Sequence, residues 1–247
     1  MITRFLAPLF KLLGKDVYCA DGLITVHNHD FLQDPAFQAA YARGLKADGQ
    51  DYRFHWRVHV ALWAARVASR LPGDFVECGV NRGFVSSALM HDLDWNALDK
   101  TFYLLDTFAG PDPSLLSPEE RASGYEARVG GSAARAFYNQ DVGRVQENFG
   151  PWKNVRIIQG IIPDTLSEVQ AKAICFMHID LNCSVPEVKA LDTLWNRITP
   201  GGMILLDDYA YVGFRHSKSA MDALTANLGV TVLSLPTGQG LIVRPPA

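Results

Sequence analysis

Acidic residues stand at the ends of four short apolar runs in this 247-residue chain. They are Glu77, Asp106, Asp180 and the pair Asp207 and Asp208. Helical patterns separate the runs, so the runs predict parallel strands, whose carboxyl ends meet at one ligand-binding edge of a sheet. Neighbouring strands lie about 4.8 Å apart. The spacing therefore predicts that these carboxylates converge, although a single Asp at such a position often only caps the next helix.

Converging carboxylates repel one another and raise each other's pKa. A divalent cation removes that conflict, and carboxylate oxygens with retained waters suit Mg²⁺ or Mn²⁺. The strands that end at Asp180 and at Asp207-Asp208 are expected to be neighbours. Asp180, Asp207 and Asp208 are therefore the predicted ligands of one Mg²⁺ or Mn²⁺.

The glycines after Glu77 follow the spacing E-x-G-x-x-x-G. Gly79 lets the backbone turn off the strand, and Gly83 lets a ligand or the next helix approach closely. The spacing is not the G-x-G-x-x-G of dinucleotide sites, which disfavours a nicotinamide dehydrogenase. A carboxylate at Glu77 suits the ammonium group of S-adenosylmethionine better than it suits a phosphate. The other interpretation of the motif is a tight turn from strand to helix.

Asp106 ends a second predicted strand, where an acid can hydrogen-bond the two hydroxyls of a ribose. Its alternative role is to cap a turn. Gln159 and Gly160 follow a third strand and could edge an adenine ring. The residues predicted to bind the cofactor are Glu77, Gly79, Arg82, Gly83, Ser86, Asp106, Thr107, Gln159 and Gly160.

Alternating strands and helices must position these residues. The patterns predict strands over residues 74–78, 101–105, 155–159, 173–179, 203–206, 230–235 and 240–244. They predict helices over 52–71, 84–93, 186–198 and 214–228. Together they indicate an α/β fold with a mostly parallel seven-stranded sheet, helices on both faces and a C-terminal antiparallel hairpin.

Five motifs occur together in a telling order. They are GDFVECGVNRG at 73–83, DTFAG at 106–110, G160 with PDTL at 163–166, HID at 178–180, and PGG at 200–202 leading to DDY at 207–209. Over residues 51–228 the chain resembles class I S-adenosylmethionine-dependent methyltransferases and, within them, the macrocin O-methyltransferase family. The resemblance implies a Rossmann-like methyltransferase fold.

The resemblance also implies a function, namely Mg-dependent O-methylation of a hydroxyl on a small molecule of sugar or natural-product type. It places the catalytic base on Asp180. After the fourth predicted strand the family usually reads D-x-D-x-Y. In this chain Asn182 replaces the second acid and Cys183 falls close to the aromatic position, so the resemblance does not identify the acceptor. The alternative is a non-catalytic, regulatory S-adenosylmethionine-binding protein, against which the retained carboxylate cluster argues.

Residues 1–50 are expected to form a helical or lid-like extension, and residues 51–247 the methyltransferase domain with an insertion near 110–140. The insertion is either a lid or a disordered surface loop. The amphipathic residues 1–15 could form a signal peptide, a membrane-surface helix or, as we favour, a helix packed on the domain or a second subunit. A homodimer or a larger homo-oligomer is therefore expected.

Composition excludes some partners and favours one compartment. The net charge of −3 gives no reason to expect nucleic acid, and no apolar run reaches the roughly 20 residues of a transmembrane segment. The four cysteines show no C-x-x-C spacing, which is typical of a reducing, cytoplasmic setting.

Several charged side chains have two interpretations. Arg53, His55, Trp56 and Arg57 either close over the cofactor carboxylate or the acceptor, or form a solvated helix start. His178 shares a strand face with Asp180 and is a base, a partner of a metal ligand or a core histidine. His216 and Lys218 either contact the acceptor or lie on the surface.

Overall fold

The computed structural model describes residues 16–125 and 137–246. A small hairpin, β1 (Tyr18–Ala20) and β2 (Leu23–Thr25), precedes the main sheet. The strands of that sheet are β3 (Asp74–Cys78), β4 (Phe102–Asp106), β5 (Val155–Gln159), β6 (Ile174–Ile179), β7 (Ile198–Leu206), β8 (Leu233–Ser234) and β9 (Gly240–Val243).

The main sheet has seven strands in the order β5-β4-β3-β6-β7-β9-β8. Strands β3 to β7 pair in parallel, while β9 pairs antiparallel with both β7 and β8. Every residue of β6 is buried, as expected of a central parallel strand covered on both faces. The predicted sheet and its C-terminal hairpin are confirmed.

Seven α-helices are found among the described residues. They are α1 (Pro35–Asp48), α2 (His55–Ala68), α3 (Phe84–Asp92), α4 (Pro118–Ala122), α5 (Val142–Phe149), α6 (Ser184–Leu194) and α7 (Arg215–Asn227). Two apolar clusters, one for each face of the sheet, hold the layers together: α1, α2 and α3 contribute to one, and α6 and α7 to the other. None of the described helices has the length and apolar character needed to span a membrane.

The chain before the main sheet packs closely against it. The β1–β2 turn is made by Asp21 and Gly22, both with positive φ. Helix α1 lies so close to α3 that a Cβ on Gly44 would lie 2.5 Å from a ring carbon of Phe84. The favoured N-terminal helix of residues 1–15 lies outside the described residues, and the division at residue 50 stays a prediction.

Part of the predicted insertion near 110–140 is described, and residues 126–136 are not. Helix α4 lies in the described part, and Glu120 accepts hydrogen bonds from the backbone N–H (2.8 Å) and the hydroxyl (2.9 Å) of Ser184. The Tyr125 hydroxyl donates to the carbonyl oxygen of Asn182. The insertion is therefore anchored to the loop that follows β6, and its role as a lid stays a prediction.

Candidate active site

The acids lie on one rim of the sheet, as the strand pattern predicted. Backbone hydrogen bonds continue the parallel ladders past the strand ends: Asp180 N–H donates to Cys78 O (2.8 Å) and Asp207 N–H to Ile179 O (2.9 Å). Glu77 lies in β3, between β4 with Asp106 and β6. The topology therefore brings together carboxylates that are as many as 131 positions apart, from Glu77 to Asp208.

Two cavities open at this rim. The larger, of about 340 Å³, is within the range of small-molecule sites, and its walls include Glu77, Asp180, Asp207 and Asp208. Its aromatic walls are Tyr52, Phe54, Phe84, Phe137, Tyr138, Tyr211 and Phe214. A smaller cavity of about 50 Å³ is lined by residues that include Asp106, Thr107 and Gly160. Tyr138, Asp180 and Asn182 line both cavities, so one extended ligand can reach from one to the other.

Glu77 presents a free carboxylate oxygen although the residue is only 2% exposed. Its Oε1 lies 2.8 Å from His178 Nδ1, while its Oε2 is buried without a hydrogen-bond partner among the described residues. Buried polar atoms are nearly always paired, so an unpaired carboxylate oxygen on a cavity wall indicates a missing donor. A cationic donor such as an ammonium group fits it best.

Asp106 holds the loop after β3. Its Oδ2 accepts the N–H groups of Val80 (2.7 Å) and Asn81 (2.8 Å), and its Oδ1 accepts that of Phe108 (2.7 Å). The capping role considered from sequence is thus present. The Thr107 hydroxyl lies 3.5 Å from Oδ1 but donates to the Gly110 carbonyl oxygen at 2.7 Å, so the second lone pair of Oδ1 can accept from a hydroxyl in the smaller cavity.

The two motif glycines are needed for close packing within the protein. Both have positive φ, +91° at Gly79 and +82° at Gly83. A Cβ on Gly79 would overlap the carbonyl oxygen of Asp180, and one on Gly83 would lie 2.7 Å from the ring of Phe149. Gly79 lines the larger cavity, and Gly83 lines neither cavity.

Three other residues predicted to bind the cofactor lie off the cavity walls. Arg82 pairs with Asp48 at 3.6 Å, and Ser86 is fully buried within α3. Gln159 is exposed, with its Nε2 3.5 Å from the carbonyl oxygen of Thr107. Their contact with a cofactor stays a prediction.

Arg57, in the first turn of α2, reaches into the acid cluster. Its Nη1 donates to Asp207 Oδ2 (2.5 Å) and lies 3.3 Å from Asp208 Oδ1, while its Nε donates to Asp21 Oδ2 (2.9 Å). The guanidinium group packs over the Tyr211 ring, 4.3 Å from the centroid. The side chain is 11% exposed. The interpretation of Arg57 as part of a solvated helix start is therefore wrong, because its side chain lies in the site and not in solvent.

The predicted metal site at Asp180, Asp207 and Asp208 stays a prediction that the geometry of the described residues does not support. Among residues 16–125 and 137–246, no group of three or more His, Cys, Asp or Glu side chains is arranged to hold a metal ion. The Arg57 guanidinium contacts Asp207 and Asp208 and offsets part of the carboxylate repulsion that motivated the prediction. Further oxygens are also engaged, because Gln239 Nε2 donates to Asp207 Oδ1 (3.0 Å) and Asn182 Nδ2 to Asp180 Oδ1 (3.1 Å).

Comparison with known proteins decides the family. A family model described as macrocin O-methyltransferase (TylF) matches residues 58–231. The chain belongs to this family. The resemblance seen in the sequence is thereby confirmed, and it is to a family of S-adenosylmethionine-dependent O-methyltransferases.

One relative of this chain is the 8-demethyl-8-(2,3-dimethoxy-alpha-L-rhamnosyl)-tetracenomycin-C 4'-O-methyltransferase of Streptomyces olivaceus. The two are 27% identical over 152 residues, which span 58% of this chain and 56% of the relative. Among solved structures, the O-methyltransferase NovP superposes with a TM-score of 0.69 at 17% identity, over 89% of this chain and all of NovP. CalS11, a calicheamicin methyltransferase, has a TM-score of 0.58 at 14% identity, over 88% and 94% of the two chains. The structures share the fold.

The pKa values of Asp180, Asp207 and Asp208 are shifted in different directions. Burial, with the charges of Asp207 and Asp208, raises the pKa of Asp180 well above its ordinary value. Burial and the charge of Asp207 likewise raise the pKa of Asp208 to about 7. Burial acts in the same direction on Asp207, but Arg57 and His178 outweigh it and lower the pKa of Asp207. Asp180 and Asp208 therefore hold a proton more readily than an exposed aspartate, whereas Asp207 stays ionised.

His178 links the two ends of the rim. It is 1% exposed, with Nδ1 at 2.8 Å from Glu77 Oε1 and Nε2 at 3.7 Å from Asp207 Oδ1. Burial alone would lower its pKa, but the nearby carboxylate of Asp207 and the hydrogen-bonded carboxylate of Glu77 raise the pKa of His178 to about 10. It is a charged partner of two acids, which is neither a free base nor an ordinary core histidine.

Two residues of the site were not found from sequence. Asp21 reaches Arg57 from the β1–β2 turn, and the Asp-Gly pair between apolar residues is a sequence signal for this hairpin. Gln239 enters from the loop before β9 and carries no sequence signal of its own.

Lys218 pairs with Asp222 (2.6 Å) and Tyr209 (2.9 Å), and neither Lys218 nor His216 lines the two cavities.

Proposed function

We propose that this protein transfers a methyl group from S-adenosylmethionine to a hydroxyl oxygen of a sugar or glycosylated small molecule. One observation carries the proposal: Glu77, with its unpaired buried oxygen, lines the larger cavity, Asp106 on the next strand lines the smaller one, and Asp180 lines both. Family membership supplies the reaction type.

The chain's residues fit the proposed cofactor. Glu77 Oε2 would accept from the ammonium group, and Asp106 Oδ1 from a ribose hydroxyl. Thr107 and Gly160, on the smaller cavity, would border the adenosine portion. When bound, S-adenosylmethionine supplies an activated methyl group on a sulfonium ion.

Asp180 would act as the base. It lines both cavities, so it can face the cofactor and the acceptor together. Its raised pKa makes it a stronger proton acceptor than an exposed aspartate, provided that it is ionised when the acceptor binds. The positive charge of the bound sulfonium favours that ionised form. Holding the acceptor oxygen in line with the methyl group would supply much of the rate.

The acceptor class is proposed from the relative and from the walls of the larger cavity. The Streptomyces olivaceus relative is named for methylating the 4'-oxygen of a rhamnosyl group. In this chain, Tyr52, Phe54, Tyr211 and Phe214 surround the larger cavity with flat apolar faces. Such faces can pack against a sugar ring or an aromatic aglycone.

Asp180, Asp207 and Asp208 do not fit the predicted Mg²⁺ or Mn²⁺, because Arg57, Gln239 and Asn182 engage oxygens that the ion would need. The homodimer and the cytoplasmic location stay predictions. Light scattering on the full chain tests the first.

Two measurements test the proposed function. Isothermal titration should show binding of S-adenosylmethionine and none of NAD⁺. Mass spectrometry should then show methylation of a hydroxyl in a panel of rhamnosylated and other glycosylated compounds, with wild type but not with Asp180→Asn. Cofactor binding without methylation of any compound would favour the non-catalytic alternative, and absence of cofactor binding would refute both.

A further inference from the structure

We infer that Arg57 is the built-in cation of the acceptor site and makes a divalent metal ion unnecessary there. The inference rests on the proposed function and assigns the electrostatic role in that reaction to one side chain. It departs from the sequence pattern, because three carboxylates on two adjacent strands favour a metal site when nothing else is known.

Arg57 is held from several directions. Asp21 binds its Nε from the β1–β2 hairpin, and Asp207 and Asp208 bind its Nη1 from the end of β7. The Tyr211 ring lies against the guanidinium plane at 4.3 Å. A planar guanidinium group with a forked set of donors matches several carboxylates at once, and it is more weakly hydrated than an ammonium group. The position of this cation is therefore fixed before any ligand binds.

Several carboxylate oxygens around Arg57 already accept hydrogen bonds from the protein. Both carboxylate oxygens of Asp207 accept hydrogen bonds, from Arg57 and from Gln239, and one oxygen each of Asp208 and Asp180 is engaged. Mg²⁺ demands near-ideal octahedral geometry at about 2.0–2.1 Å from its oxygens. To bind it here, the protein would have to break the Arg57 contacts and bring two like charges together.

One nitrogen of Arg57 remains for the substrate. Nη2 makes no hydrogen bond within the described part of the chain, and Arg57 lines the larger cavity together with Asp180. Nη2 can therefore donate to the acceptor oxygen. As the oxygen–carbon bond forms and the sulfur–methyl bond breaks, the hydroxyl proton passes to Asp180 and the sulfonium becomes a neutral thioether. Arg57 stabilises the negative charge that develops on the oxygen and exchanges no proton.

Binding of Mn²⁺, followed by electron paramagnetic resonance in the presence of S-adenosylmethionine, tests the inference without an acceptor. Wild type should bind no Mn²⁺ at this site. Arg57→Gln should bind one Mn²⁺ per chain, because Asp180, Asp207 and Asp208 lose their cation. Arg66→Gln is the matched control: Arg66 lies on the same helix and pairs with Asp92, away from the site, so this variant should behave like wild type.

A second readout uses methyl transfer. Wild type should retain full activity in excess EDTA, and Arg57→Gln should lose about 10²–10³-fold in kcat, the scale for removing one preorganised donor. Arg57→Lys, which keeps the charge but not the fork, should recover part of that loss and still bind no Mn²⁺. It serves as the second variant if Arg57→Gln does not fold.

Stoichiometric Mn²⁺ binding by wild type that Asp208→Asn abolishes would overturn the inference, as would activity that EDTA removes and Mg²⁺ restores. Either result would leave the proposed methyl transfer intact. Failure of wild type to bind S-adenosylmethionine would instead refute the proposed function, and the Mn²⁺ titration without cofactor would still decide the role of Arg57.

Discussion

Replacing Glu77 by Gln should weaken binding of S-adenosylmethionine through its amino acid portion alone. Gln keeps the size of the side chain and removes its charge at a position that is 2% exposed. The oxygen at stake is Oε2, which is buried and has no hydrogen-bond partner among the described residues. A hydrogen bond to a charged group contributes about 1.5–3 kcal/mol. At about 1.4 kcal/mol per decade, that is a loss of about 10- to 150-fold in Kd.

The assay compares two ligands. S-Adenosylmethionine carries the ammonium group, whereas 5'-methylthioadenosine has the same adenosine and lacks the amino acid. By isothermal titration, Glu77→Gln should weaken only the first, and Asp106→Asn should weaken both. The second ligand is also a control for folding, because Glu77 lies 2.8 Å from His178 and a disturbed His178 could affect the whole site.

Unchanged affinity of Glu77→Gln for S-adenosylmethionine would refute the ammonium assignment. An equal loss for both ligands would also refute it, because that result would mean that Glu77 acts by supporting the site and not by contacting the amino acid portion.

Three further outcomes are expected. Asp180→Asn should abolish methyl transfer in the mass-spectrometric assay while binding S-adenosylmethionine about as well as wild type; substantial residual turnover would remove Asp180 as the base. Gly79→Ala should destabilise the protein in urea unfolding by about 1–3 kcal/mol more than Gly22→Ala, because both glycines have positive φ but only at Gly79 does a Cβ meet the backbone of Asp180; equal losses would contradict the close approach of β3 and β6. The pKa of His178 is raised from 6.5 to about 10. Its contribution to the free energy of unfolding should therefore be full below pH 6.5 and be lost as the pH rises towards 10. Unfolding free energies of wild type that are flat across this range would contradict a charged His178.

The sheet and its acidic rim could be predicted because both follow from local patterns. Apolar runs bounded by turns gave the strands, and parallel topology placed Glu77, Asp106, Asp180 and Asp207 at one edge. The strand period also put His178 on the same face as Asp180. What those patterns lack is the direction of long side chains from other elements.

The charge balance of the site depends on such a side chain. Arg57 lies 150 positions before Asp207, and only the packing of α2 on the sheet shows that the two meet. Asp21 reaches the site because the β1–β2 hairpin packs against the start of α2, where the Tyr18 ring meets His55 and Trp56. The metal ion was therefore predicted without regard to Arg57, which lies against Asp207 and Asp208.

The glycine motif illustrates a second limit. The sequence indicates that Gly79 and Gly83 require unusual backbone conformations, and both have positive φ. It does not indicate what approaches them, and the neighbours are the Asp180 backbone and the Phe149 ring, parts of the protein itself. A glycine-rich turn therefore indicates close packing within the protein and does not by itself indicate a ligand.

The most direct test of the account is methyl transfer from isotopically labelled S-adenosylmethionine to a panel of glycosylated acceptors, with wild type and Asp180→Asn assayed side by side. The account predicts that label appears on a hydroxyl oxygen of at least one sugar-bearing acceptor with wild type, and on none with Asp180→Asn. Label transferred equally well by both proteins, or to a nitrogen or carbon atom of the acceptor, would contradict it.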